Sequence, residues 1–176
     1  MHTSTISGMA GVQARIIRVM PNAPAMVQEG MSVLCPGDYV QEDDLYLAKE
    51  IFDSIGKTVI LHNEELMDVV TGLSGSGPAF VFMMIEALSD AGVQLGISRK
   101  ISNLLSSQTV LGAAKMFLET GRHAGYLRDL VATPGGTTFA GLKELERGNF
   151  RSTIMEAVEA ATIRSRELGK LKEQED

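Results

Sequence analysis

The sequence predicts a mainly α chain with a short α/β sheet segment ahead of an all-helical part. Three observations predict it. Residues 1–62 carry short β-branched runs cut by turns. After His62 the apolar positions fall at helical spacing. The 18 glycines, unusual in a helical chain, cluster where caps, turns or a ligand-facing backbone belong.

Arg15–Val19 reads as a strand stopped by Pro21, and Met31–Cys35 as a second, stopped by Pro36-Gly37-Asp38, with loop from Pro24 to Gly30. From Glu42 to Ile55 the positions Leu45, Leu47, Ala48, Ile51, Phe52 and Ile55 define a helix that Gly56 should close. Lys57–Leu61 is a third strand. Glu64–Thr71 is a short helix that Gly72 should break. Ser76 caps the next, with Pro78 in its first turn and Gly92 as its end. That helix carries Ala79–Ile85, apolar on every face, which one small domain cannot cover. Ser98 caps a helix whose stripe is Ile101, Leu104, Leu105, Leu111 and Leu118. Another helix runs from Arg122 to Val131. Thr133 caps the next, with Pro134 at its first position and Gly148 as its end. Asn149 caps the last, with Phe150, Ile154, Ala157, Val158 and Ala161 on one face. Lys170–Asp176 is expected to fray.

Composition excludes several function classes. The 176 residues carry a net charge of −6, which does not suit a nucleic-acid partner. The longest unbroken apolar stretch, Pro78–Ile85, is too short to span a bilayer, so no membrane association is expected. The first residues show no secretory leader. Cys35 alone permits no intrachain disulfide, which suits a reducing, cytoplasmic setting; a buried structural thiol is expected there. His2, His62 and His123 show no metal-ligand spacing, so no metal is expected.

Two glycine-rich sites remain. Thr71–Pro78 matches neither the G-x-S-x-G elbow nor the G-x-G-x-x-G fingerprint. It reads equally as a turn that lets two helices pack closely or as the floor of a small-molecule pocket. The second site, Thr133-Pro134-Gly135-Gly136-Thr137-Thr138, opens a helix with two residues that lack side chains and two hydroxyls. Glycine costs about 1 kcal/mol against alanine within a helix. Its use here points to backbone N–H groups at the positive end of the helix dipole, a site shaped for a carboxylate. The competing reading is a tight helix entry beside another backbone.

These residues carry a resemblance. Thr109–Met116 through Asp129, followed by Thr133–Thr138, resembles the signature of pyrroline-5-carboxylate reductases. Val70–Phe80 is similar to a second block of that family, Arg18–Pro24 to a third, and Phe150–Ser152 with Arg164–Leu168 to a fourth. The resemblance runs from about Gln13 to Gly169, and Thr3–Gly11 ahead of it resembles the family's last helix before the strand that ends in Met20-Pro21-Asn22. It implies the remnant of a Rossmann α/β sheet (residues 1–62) followed by an all-helical dimerisation and substrate domain (residues 63–176). The family's first βαβ unit, with its glycine-rich cofactor loop, is expected to be missing. A truncated gene product, a fragment or one piece of a split protein would each give such a chain. Without that unit, Arg15–Val19 should be an exposed sheet edge and residues 1–40 the least protected ordered region.

The implied reaction is reduction of 1-pyrroline-5-carboxylate to L-proline by hydride from NADPH or NADH. Such chemistry needs positioning more than acid catalysis. The resemblance makes Thr138 the catalytic residue, bonded to the ring nitrogen. It makes Glu64, Thr133, Gly135, Gly136, Thr137 and Thr138 substrate-binding, and Met20 and Asn22 cofactor-binding. The Ser74–Gly77 turn would wall the pocket. Leu130 stands where relatives carry a polar, cofactor-contacting residue. A homodimer or higher homo-oligomer is implied. The alternative reading is a non-catalytic oligomerisation module that retains the substrate half-site.

Overall fold

In the computed structural model, which describes residues 3–10 and 13–175, the β-branched runs form a three-stranded sheet. A short helix, α1 (Thr3–Ala10), precedes it. Gly11, the expected end of that helix, lies outside the described residues, as do His2 and Asp176. The strands are β1 (Ile17–Met20), β2 (Gly30–Pro36) and β3 (Gly56–Ile60), in the order β1-β2-β3. β1 runs antiparallel to β2, with Ile17 opposite Pro36 and Met20 opposite Val33. β2 and β3 are parallel, joined through α2 (Glu42–Asp53).

Local chemistry explains where elements begin and end. β1 starts two residues later than the sequence suggests, and Arg15 instead pairs with Asp44 of α2 at 2.9 Å. Gln41 and Asp44 close a capping box at the start of α2. Gly56 does not close α2; Ser54 is its C-cap, and Gly56 opens β3. There the backbone takes φ +153°, and a Cβ would lie 2.0 Å from the Gly30 carbonyl oxygen. Only glycine admits that approach of β3 to β2.

The most buried part of the chain is β2. Leu34 is 0% and Cys35 1% exposed, and Val33 and Cys35 cluster with Met67, flanked by Met20, Met31, Leu61 and Val70. The edge position expected near Arg15–Val19 is found, since β1 pairs only with β2 among the described residues. Low protection across residues 1–40 does not follow, because β2 is the sheet's centre.

After the sheet the chain is helical. A 3₁₀ turn (Glu64–Leu66) leads into α3 (Met67–Val70), then a π-helical turn (Thr71–Gly75), then α4 (Gly77–Gln94). The expected break at Gly72 does not occur. Pro78 explains the wide turn: its ring crowds the carbonyl four residues back, Ser74, and it has no N–H to offer. The π turn relieves this, with Ser76 N–H bonded to Thr71 O at 2.8 Å. Ser76 therefore closes the π turn as its C-cap, inside a continuous helical path, and does not serve as the expected start cap of α4. Gly92 lies within α4, and the helix ends instead before Gly96, at φ +100°. The continuous path Glu64–Gln94 is long and apolar enough to cross a bilayer by length and composition, which residues 78–85 alone are not.

The chain divides into two compact units, residues 1–78 with 155–176, and residues 79–154. In the first, Gly72 lies against Thr162 and the Val158 carbonyl of α8 (Phe150–Glu175), the close helix packing that one reading of Thr71–Pro78 expected. Ser165 also bonds Asp68 at 2.6 Å. α8 stays helical to Glu175, where fraying was expected from Lys170. In the second unit, α5 (Arg99–Thr120) turns Ser102 and Ser106 inward, not its apolar stripe. Ile101, Leu104, Leu105, Leu111 and Leu118 are all exposed. α6 (Ala124–Val131) starts two residues later than predicted, with His123 Nδ1 accepting from Gly125 N–H at 3.1 Å. α7 (Thr137–Arg147) follows.

Candidate functional site

The Thr133–Thr138 segment builds its geometry from a turn and a helix start. Gly136 N–H bonds Thr133 O at 2.9 Å, with Pro134 and Gly135 between them and Gly135 at φ +71°. That is a type II turn, in which proline presets the first central residue and glycine takes the second. Thr133 is therefore not the helix cap. Gly136 is, and α7 begins at Thr137, three residues later than predicted. Gly136 is also confined: a Cβ there would meet Thr133 Oγ1 at 2.4 Å.

This shifts the anion site. Gly136 spends its N–H inside the turn. The first bond of α7 runs from Ala140 N–H to Gly136 O at 3.3 Å. The amides of Thr137, Thr138 and Phe139 precede it and have no carbonyl four residues back within the helix. They point out of the positive end of an eleven-residue helix. Beside them lies a pocket of about 760 Å³, lined by Arg128, Pro134, Gly135, Phe139 and Lys143 among others. Arg128 pairs with Asp129 at 2.7 Å. Thr138 is half-buried and Thr137 exposed. The helix-start amides and the Thr138 hydroxyl thus stand beside a largely apolar pocket whose lining carries Arg128 and Lys143 together with Asp129 and Glu146.

Met20, Asn22 and Glu64 fall in the other compact unit. Asn22 Oδ1 accepts from Met31 N–H at 2.8 Å, and its Nδ2 donates to Ser74 O at 3.1 Å. Met20 packs beside the sheet core, its methyl 2.6 Å from where a Gly75 Cβ would stand. The structure thus brings Met20 and Asn22 against the Ser74–Gly75 turn. Glu64 accepts from Thr3 N–H at 2.9 Å and Thr3 Oγ1 at 2.7 Å, and from Arg18 at 3.3 Å. Its carboxylate anchors the start of α1 and the middle of β1. The sequence reading missed these partners, because they meet across 46 and 61 residues of chain.

Cys35 is buried as expected. Burial pushes its thiol pKa up, the Glu64 charge adds to this, and Arg18 opposes it. Among the described residues, no group of three or more His, Cys, Asp or Glu gathers as a metal site would.

Comparison with known proteins places these features in context. Residues 64–168 match the family model for pyrroline-5-carboxylate reductase dimerisation. A pyrroline-5-carboxylate reductase of Arabidopsis thaliana is 53% identical over 156 residues, covering 89% of this chain and 56% of the relative. The solved structure of a pyrroline-5-carboxylate reductase from Coxiella burnetii superposes with a TM-score of 0.91 at 41% identity, covering 95% of this chain and 62% of that one. That of Plasmodium falciparum pyrroline carboxylate reductase, with NADP bound, gives 0.89 at 38% identity, covering 96% and 68%. The chain spans about half the length of the curated relatives it matches.

Proposed function

This chain belongs to the pyrroline-5-carboxylate reductase family, and from that premise we propose that it serves reduction of 1-pyrroline-5-carboxylate to L-proline. In this reaction NADPH or NADH supplies a hydride to the ring C=N carbon, and the nitrogen ends protonated as a secondary amine. The observation that carries the reading is the type II turn that delivers the Thr137, Thr138 and Phe139 amides to the start of α7. We assign the substrate carboxylate to those amides, with Thr133, Gly135 and Gly136 shaping the turn. Thr138 Oγ1 is the catalytic contact to the ring nitrogen.

Met20 ends strand β1 and Asn22 lies just beyond it, at a strand's carboxyl end, where open α/β sheets bind cofactors. They fit the nicotinamide half of the cofactor, with the Ser74–Gly77 turn as a wall. Nothing among them suits a pyrophosphate, which needs a glycine-rich turn at a helix start. We place the functional division at residues 1–62 and 63–176, close to where the family model begins. A homodimer or higher homo-oligomer in the cytoplasm completes the reading.

A second reading, a non-catalytic oligomerisation module, draws on the exposed apolar faces of α4 and α5 and on the dimerisation family model. Consumption of NADPH with 1-pyrroline-5-carboxylate by the purified chain separates the two. The site itself is tested by titrating L-proline while following backbone amides by NMR. The Thr137, Thr138 and Phe139 amides should shift and saturate. Thr138→Ala should weaken binding by about 0.5–1.5 kcal/mol, one hydrogen bond's net worth. If those amides stay still while others move, the carboxylate site lies elsewhere.

A further inference from the structure

The π-helical turn Thr71–Gly75 is held from outside its own helix by one carboxamide. The Ser74 carbonyl stands four residues before Pro78, which brings it no N–H and crowds it with its ring. Asn22 Nδ2 donates to that carbonyl at 3.1 Å, and the same side chain accepts from Met31 N–H, at the second residue of β2, at 2.8 Å. Ser74 Oγ bonds Val70 O at 3.2 Å, and Thr71 Oγ1 bonds Met67 O at 2.8 Å, which ties the turn to α3. An amide suits the Asn22 position because it carries a donor and an acceptor on one planar group. Aspartate offers acceptors only.

We propose that Asn22 is a positioning residue that fixes the Ser74–Gly77 turn in its ligand-facing form through its bond to the Ser74 carbonyl. This rests on the reductase reading above, which makes that turn a pocket wall. It gives the Asn22 carboxamide a task in addition to facing the cofactor. Strand β2 is the most buried element among the described residues and the centre of the sheet, so the turn is tied to the sheet's core. π-Helical turns recur at functional sites because they release backbone groups from the regular ladder. Here one released carbonyl is taken up by a side chain from another element.

The test compares wild type with Asn22→Asp and Asn22→Ala in the full 176-residue chain. Asn22→Asp keeps an acceptor for Met31 N–H and removes the donor to Ser74 O. Hydrogen exchange of the Met31 amide should then stay at the wild-type rate. Exchange of the Ser76 amide, which closes the π turn, should speed up about five- to tenfold. Asn22→Ala should speed both. The functional arm follows the Ser76 and Gly77 amides while NADPH is added. Wild type should respond, and Asn22→Asp should bind about fivefold more weakly even at equal unfolding midpoint. A purely structural bond would leave that affinity unchanged, and loss of a direct Asn22–cofactor contact alone would weaken binding with Ser76 exchange still at the wild-type rate, so the positioning role requires both changes together. Unchanged Ser76 exchange in Asn22→Asp overturns the proposal, as does unchanged NADPH affinity. No wild-type response of Ser76 and Gly77 to NADPH also overturns it, whereas the reductase reading stands or falls separately on L-proline at Thr137–Phe139.

Discussion

Cys35 shows how far one residue's chemistry is set by its surroundings. The sequence placed it at a strand end before a proline and read it as a structural thiol. In the fold it sits 1% exposed beside Met67, with Glu64 and Arg18 near enough to act on its charge. Burial and Glu64 raise its pKa against the opposing pull of Arg18. The thiol of the unfolded chain thus loses its proton first as pH climbs. Stability from this group is level below the unfolded thiol's pKa of about 8.5, and falls above it until the higher folded value is passed. At pH 8 iodoacetamide should modify the native thiol at least about tenfold more slowly than the urea-unfolded thiol, by mass spectrometry. Comparable rates would show that β2 opens readily. Gly135 was equally legible as a special position, but the sequence assigned it to a helix. Its left-handed backbone belongs to a type II turn, and the T-P-G-G pattern was the available signal.

Among the elements, α4 and α5 carry the clearest difference between expectation and fold. Gly92 reads as a helix end because glycine is a poor helix former. It lies inside α4 because α5 comes so close that a Cβ would meet Ser102 Oγ at 2.2 Å. Ser102 Oγ is itself committed to Ser89 O at 2.7 Å, and Ser89 bonds Asn103 and Arg99. Small polar residues therefore form the seam, and the bulky apolar ones face outward. Gly92→Ala should cost about 1–3 kcal/mol by overpacking, despite its better helix propensity. Ser102→Ala should cost about 1 kcal/mol through its lost hydrogen bond. The double variant should be more stable than the sum of the two by about 0.5 kcal/mol or more, since the second change removes the obstructing oxygen. Urea midpoints measure all three, and strict additivity would mean that the helices do not approach this closely.

At the scale of the whole molecule, burial is sparse. Val33, Leu34, Cys35 and Met67 are the buried apolar residues among those described, while Phe82 is 62%, Met83 72% and Leu104 67% exposed. Large apolar side chains in that number on successive helices mark an association surface. The match to a dimerisation family model agrees with a second copy as its cover. Light scattering at micromolar concentration should give at least twice the 18.9 kDa of one chain. Phe82→Glu combined with Leu104→Glu should lower that mass or drive the chain out of solution, because each buries an unpaired charge in the interface. A monomer in the unsubstituted protein would refute the assignment.

The sequence by itself determined the element types, the mainly helical balance, the three strands and the family, because periodicity, turn residues and motif blocks are local and survive without a fold. It also singled out Thr133–Thr138 and the Ser74–Gly77 turn as special. It misplaced the starts of α6 and α7, the end of α2 and the supposed break at Gly72. In each case a neighbouring carbonyl or ring decided the boundary, and propensity did not. Only the tertiary structure decided that Asn22 bridges β2 and the π turn, that Glu64 binds Thr3 and Arg18, and that α5 buries its serines and exposes its leucines. Those outcomes depend on which surfaces meet across tens of residues. A helix's apolar stripe shows that it must be covered, but not whether its own chain or a second one covers it.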